Sequence, residues 1–232
     1  MCILVVATPL MSTAQTRHSL DPGREATIGG IGIAFNGFGR WKEHQNLDAP
    51  APVIDLRNVP AIDLVATRQW SMQAHRTSNI LFGIAVGASL ATAIVNQHGE
   101  RPLLPVVIIA ESGLLCAGIT NTVKELVRRP RPYLYNPDVS ASAYDPRKDE
   151  VSFWSGHTAN TAAMTFACAS LVQRSNASQG LKTATWIGAA VTPAAMGYLR
   201  VRSGRHFPTD VLTGYLFGAL VGVVVPYFHR AD

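Results

Sequence analysis

VLTGYLFGALVGVVVPYF, residues 211–228, is the stretch whose reading decides the architecture. It carries no charged residue, and its glycines, Gly214, Gly218 and Gly222, recur every four positions. A run of this length is too long for an ordinary buried strand, so helix is the expectation. Small residues four apart let two helix backbones approach closely. Four other segments share this character: Asn79–Val95, Leu103–Ile119, Thr158–Val172 and Ala184–Leu199. Glu111 is the one charged residue in all five, in a chain that is 15% charged overall. A membrane span needs about 20 apolar residues, with a lower limit near 17. The segments at 79–95, 103–119 and 211–228 reach that limit, whereas the other two are shorter and richer in Ala and Thr. Gly83 and Gly87 repeat the four-residue spacing in the first segment. The pattern predicts an all-α helical bundle of about five or six helices, embedded in a membrane. A soluble helical core is the alternative.

The rest of the chain sets bounds. A length of 232 residues suits one domain, and a hydrophobic content of 47% excludes a disordered chain. The cysteines Cys2, Cys116 and Cys168 form no Cys-x-x-Cys pair. A disulfide scaffold, a zinc ribbon and a thiol redox site are therefore excluded. Residues 1–14 read as signal-like: a short apolar run, Cys2–Met11, precedes Ser12-Thr13-Ala14. Residues 15–58 are polar, rich in Gly, Asn and Pro, and predict an extended arm. Residues 1–58 thus form an N-terminal segment ahead of a helical domain at 59–232. Pro60–Arg76 predicts an amphipathic helix with Ile62, Val65, Trp70 and Met72 as its apolar contacts. Glu111 reads as a buried carboxyl facing a partner, and Asn176-Ala-Ser178 fits a glycosylation acceptor pattern.

Three clusters stand at the ends of the apolar segments. The first runs from Lys124 through Arg128, Arg129, Pro130 and Arg131 to Pro132 and Tyr133. Lys124 and Arg131 are two helical turns apart, close enough to share a face. The prolines stop the helix and make Arg131 extended. A rigid Arg beside a Lys suits a phosphate-like anion. The second cluster is Phe153-Trp154-Ser155-Gly156-His157-Thr158. Ser155 can cap the following helix, whose free N–H groups bind anions, and Gly156 permits close approach. His157 can carry a proton near neutral pH. The third runs from Leu199 and Arg200 through Arg202, Arg205, His206 and Pro208 to Asp210. There Asp210 can hold the imidazole of His206 and orient its other nitrogen as a nucleophile or base. Seven cations fall in these clusters (Lys124, Arg128, Arg129, Arg131, Arg200, Arg202 and Arg205), which localises the net charge of +5 to one anion site rather than a nucleic-acid face.

These clusters resemble the superfamily of type-2 phosphatidic acid phosphatases, which also holds bacterial acid phosphatases and vanadium haloperoxidases. The family pattern Lys-x6-Arg-Pro is met by Lys124, Arg131 and Pro132. Pro-Ser-Gly-His is met by Ser155, Gly156 and His157, with Trp154 in place of Pro. Ser-Arg-x5-His-x3-Asp is met by Arg200, His206 and Asp210, with Leu199 in place of Ser. The resemblance implies that His206 attacks phosphorus and becomes a phosphohistidine, that Asp210 orients it, and that His157 protonates the leaving oxygen. It implies that Lys124, Arg131, Ser155, Gly156 and Arg200 bind the phosphate oxygens, with no metal and no cofactor. The implied substrate is a lipid or isoprenoid phosphomonoester or pyrophosphate, cleaved in a membrane on its periplasmic or outer face. A soluble periplasmic acid phosphatase acting on small phosphate esters and a vanadium-dependent haloperoxidase are the alternatives.

Overall fold

The computed structural model describes residues 18–96, 103–139 and 145–231. The signal-like segment at 1–14 lies outside the described residues. Six long helices make the body: α1 (Pro22–Asn46), α2 (Met72–Val95), α3 (Leu104–Val127), α5 (Gly156–Gln173), α6 (Gln179–Arg202) and α7 (Pro208–Phe228). A single turn, α4 (Pro146–Asp149), and short 3₁₀ segments join them. Among the described residues the β pairing is an isolated antiparallel bridge between His18 and Arg230. The all-α bundle expected from residues 211–228 is what forms.

Glycine spacing sets the central contact. A methyl group added at Gly214 would sit 2.7 Å from the carbonyl oxygen of Ser155. Gly218 lies against the backbone of Ala159 and Gly222 against that of Ala163. Both helices advance four residues per contact in the same direction, so α5 and α7 are parallel and their N-termini lie side by side. Ile108, Cys116, Ala159, Ala163, Ala167, Leu171 and Val225 complete the core between α3, α5 and α7.

The opposite face of α7 is apolar as well. Leu212, Leu216 and Leu220 follow the same four-residue spacing and are 58%, 60% and 59% exposed. In water such a stripe would be a liability, whereas in hydrocarbon it is the expected outer surface. The helices at Met72–Val95 and Pro208–Phe228, and the segment Leu104–Tyr135, are long and apolar enough to cross a membrane.

Two sequence expectations change. The polar arm is not extended, because Pro22–Asn46 forms α1, capped by Asp21, whose side chain accepts from the N–H of Arg24. Its glycines weaken intrinsic helicity, yet Gly32 and Gly39 bring α1 onto α3. A Cβ at Gly32 would lie 2.9 Å from Leu114 Cγ, and one at Gly39 would lie 3.1 Å from the backbone nitrogen of Thr122. Tertiary contact overrides propensity here. The helix expected at Pro60–Arg76 is divided into a 3₁₀ segment, Ala61–Arg68, and the start of α2. Ser71 causes the break by capping α2, its hydroxyl accepting from the N–H of Ala74 at 3.1 Å.

Candidate active site

The C-terminal ends of α3 and α6 and the N-terminal ends of α2, α5 and α7 meet at one end of the bundle. α3 stops at Val127 because Arg128 takes a left-handed conformation, φ 48°, as its C-cap. Lys124 and Arg131 therefore do not share a helix. The chain turns, and Arg131 follows in the extended conformation that its flanking prolines favour, φ −74° and ψ 150°.

The three cations of the motifs converge with donors to spare. Arg131 is buried; its Nε donates to the carbonyl of Lys148, and one terminal nitrogen donates to the carbonyl of Arg205 at 2.9 Å. Arg200, also buried, uses one terminal nitrogen for His75 Nδ1 at 3.0 Å and Ser78 Oγ at 3.1 Å. Its Nε is buried without a partner. Lys124 Nζ lies 3.8 Å from where a Gly156 Cβ would stand. The lysine thus reaches the start of α5. Ser155 caps that helix and is fully buried, and its hydroxyl lies 2.9 Å from that of Thr158. An unpartnered guanidinium nitrogen, a lysine side chain and a helix N-terminus are groups of the kind that suit an anion.

His206 is buried among these charges, 1% exposed. Its Nδ1–H donates to the carbonyl of Ser152 at 2.8 Å, which leaves Nε2 with a free lone pair. The bond expected from Asp210 is not the one that forms: the nearer carboxylate oxygen is 3.7 Å from Nδ1. Asp210 instead accepts from the N–H of Phe207 at 2.8 Å, from the Ser152 hydroxyl, and from Arg129 at 2.6 Å. Its effect on His206 runs through Ser152 and the loop. Burial, then Arg131, Arg200 and Lys124, hold the His206 imidazole well below its ordinary range, so it is neutral. His157 is driven down to about 3 by burial, then by Arg200 and Lys124. Its Nε2–H donates to Asn79 Oδ1 at 3.0 Å, and the ring stands against Phe82.

Several contributors carry no motif signal. Asp63 is fully buried and accepts from Arg129 at 2.8 Å and from the Thr209 N–H at 3.0 Å. Arg129 also stacks over the ring of Phe207, 3.9 Å from its centroid. It therefore joins the 3₁₀ segment to the start of α7. His75, Ser78 and Asn79 come from α2, whose sequence shows only an apolar run. Ser152 acts through its carbonyl, which no side-chain pattern reveals. Of the seven cations in the clusters, four contact scaffold groups, although the Nε of Arg205, like that of Arg200, is buried without a partner. Arg128 pairs with Glu150, Arg129 with Asp63 and Asp210, Arg202 with Gln69, and Arg205 packs on Trp70 and Tyr133. Trp154, which departs from the family pattern, donates from Nε1 to Thr120 Oγ1 at 2.8 Å and packs on Phe217.

No curated protein matches the chain. Among solved structures, the chain is similar to a transmembrane PAP2-type phosphatidylglycerolphosphate phosphatase from Bacillus subtilis. The TM-score is 0.51 at 21% identity, covering 85% of this chain and 95% of that one, a likeness of fold. The family model of the PAP2 superfamily matches residues 105–232, a stretch that holds Lys124, Arg131, His157, Arg200, His206 and Asp210. With that match over more than half its length, and with its helix ends gathered round a buried histidine, the chain belongs to the PAP2 superfamily.

Proposed function

We propose that this protein is a membrane phosphatase that hydrolyses a lipid or isoprenoid phosphomonoester or pyrophosphate through a phosphohistidine on His206. The observation that carries the reading is a neutral, carbonyl-held His206 surrounded by Lys124, Arg131 and Arg200, with the Nε of Arg200 buried and unpartnered. Nε2 of His206 attacks phosphorus as the bond to the leaving oxygen breaks, and the three cations take up charge on the equatorial oxygens. Ser155 and the Gly156 N–H stand at the helix start that completes the cradle.

His157 supplies the proton for the leaving oxygen. Asn79 engages its Nε2, so Nδ1 is the nitrogen that exchanges the catalytic proton. Burial and the charges of Arg200 and Lys124 keep His157 neutral. A bound phosphate offsets the charge of Arg200 and Lys124 and raises its proton affinity when the proton is needed. In the second step His157 takes a proton from water, water attacks the phosphohistidine, and phosphate and free His206 are released. The three cations supply the charge that phosphoryl transfer requires. The membrane-spanning helices and the exposed apolar stripes support a lipid substrate. We place the site on the periplasmic or outer face.

The test is phosphate release from a panel of lipid phosphates and pyrophosphates by detergent-solubilised protein in EDTA. His206→Ala is expected to lower kcat by about a thousandfold or more. Substantial turnover in that variant would overturn the phosphohistidine.

A further inference from the structure

A second convergence of titratable groups lies at the opposite end of the bundle. Glu111 is on α3 about 20 Å before Lys124 along the helix, at 1.5 Å per residue. His229 caps the far end of α7, and Glu25 lies in the first turn of α1. One oxygen of Glu25 is taken by the N–H of Asp21 and by Arg24, each at 2.9 Å. Arg24 also donates to the carbonyls of Phe228 and Ser19. The other oxygen of Glu25 faces His229 Nε2 at 2.8 Å, and Glu111 Oε2 stands 3.0 Å from the same nitrogen.

His229 Nδ1 lies 2.8 Å from the carbonyl of Val225, a group that only accepts, so Nδ1 carries a hydrogen. The inward nitrogen, Nε2, faces one oxygen of each carboxylate. Glu111 is 8% exposed, and its Oε2 is buried without satisfying the geometry of a hydrogen bond. The three inward atoms lie within 4.8 Å of one another. Adjacent ligands on a tetrahedral ion at 2.0–2.1 Å are about 3.3 Å apart, so a dilation of a few tenths of an ångström would seat one. A histidine whose second nitrogen is held by a carbonyl is the usual outer arrangement around a protein-bound metal.

We propose that Glu25, Glu111 and His229 bind a divalent transition-metal ion of the zinc type, which ties the start of α1 to α3 and to the end of α7. One imidazole nitrogen with two carboxylates suits such an ion better than magnesium or calcium, which favour oxygen sets. The site is remote from His206 and independent of the hydrolytic reading.

The experiment uses tag-free, full-length protein in detergent, stripped with EDTA and titrated with Zn²⁺. Bound metal is measured after equilibrium dialysis, and thermal unfolding is followed in parallel. About one equivalent is expected, with a higher Tm on binding. His229→Ala and Glu111→Gln are expected to lose both. Glu25→Gln, at the partly exposed ligand, serves as the variant least disruptive to folding and is expected to weaken binding at least tenfold. His206→Ala keeps the metal and loses turnover, and EDTA lowers Tm while leaving kcat unchanged. Wild-type protein that binds no Zn²⁺, or a Glu25→Gln variant that binds it as wild type does, would overturn the site and leave a proton-held ion network.

Discussion

At the scale of single residues, the two histidines differ in how they are held. His206 is fixed by a main-chain carbonyl, which cannot change its protonation, so the tautomer with its lone pair on Nε2 persists over a wide pH range. His157 is fixed by the side chain of Asn79 and is only partly buried. Removing a proton donor hurts most when the leaving group is poor. His157→Ala is therefore expected to lower kcat by about 10²–10⁴-fold on alkyl phosphates and much less on aryl phosphates. Asn79→Ala should reproduce that selectivity in weaker form. Comparing the two variants on both substrate types checks it, and equal losses on the two types would remove the proton-donor role. The sign of the pH effect follows from the proton-donor role: on alkyl phosphates, where departure of the poor leaving group limits turnover, kcat should fall as pH rises and the complex loses the His157 imidazolium.

At the scale of elements, the site depends on how closely α5 and α7 approach. Gly214 touches the carbonyl of Ser155, the residue that caps α5 and closes the cradle. Gly214→Ala is expected to cost about 1–3 kcal/mol by overpacking. It should also lower kcat, because the helix start moves with its cap. Unfolding in detergent and turnover on one substrate check both halves. The 3₁₀ segment is joined to α7 by Arg129, which lies between two fully buried carboxylates, Asp63 and Asp210. Arg129→Ala leaves both without their cation and is expected to cost about 3–5 kcal/mol, read from the shift in unfolding midpoint. The glycines of α1 act in the same way: they lower helix propensity but permit the contact with α3 that makes α1 a helix.

At the scale of the whole molecule, histidines held neutral make the fold acid-sensitive. The imidazoles of His157 and His206 are both depressed below 6.5, that of His157 to about 3. His18, beside the end of α7, is lowered to about 4 by burial and by Arg174. Below pH 6.5 the unfolded chain binds protons that the folded chain refuses, so stability falls as pH drops. It continues to fall until the folded values are reached, and above 6.5 the effect vanishes. The unfolding midpoint at pH 5 is therefore expected below that at pH 8, and the reverse order would contradict the burial of neutral imidazoles.

The sequence by itself determined the five apolar helices and the motif residues, but not α1 or the break before α2. Uncharged runs with glycine every fourth residue can satisfy their backbone only as packed helices, and Lys124, Arg131, His157, Arg200 and His206 suggest an anion site by residue type and spacing. What it could not determine was pairing at a distance. Glu25, Glu111 and His229 are far apart along the chain, and the antiparallel run of α3 against α7 brings them together. The division of the seven clustered cations between the anion site and the scaffold depends on which acceptor each side chain reaches. Likewise His206 answers to the carbonyl of Ser152 rather than directly to Asp210. A main-chain acceptor has no side-chain signature, and only the turn before α5 places it under the imidazole.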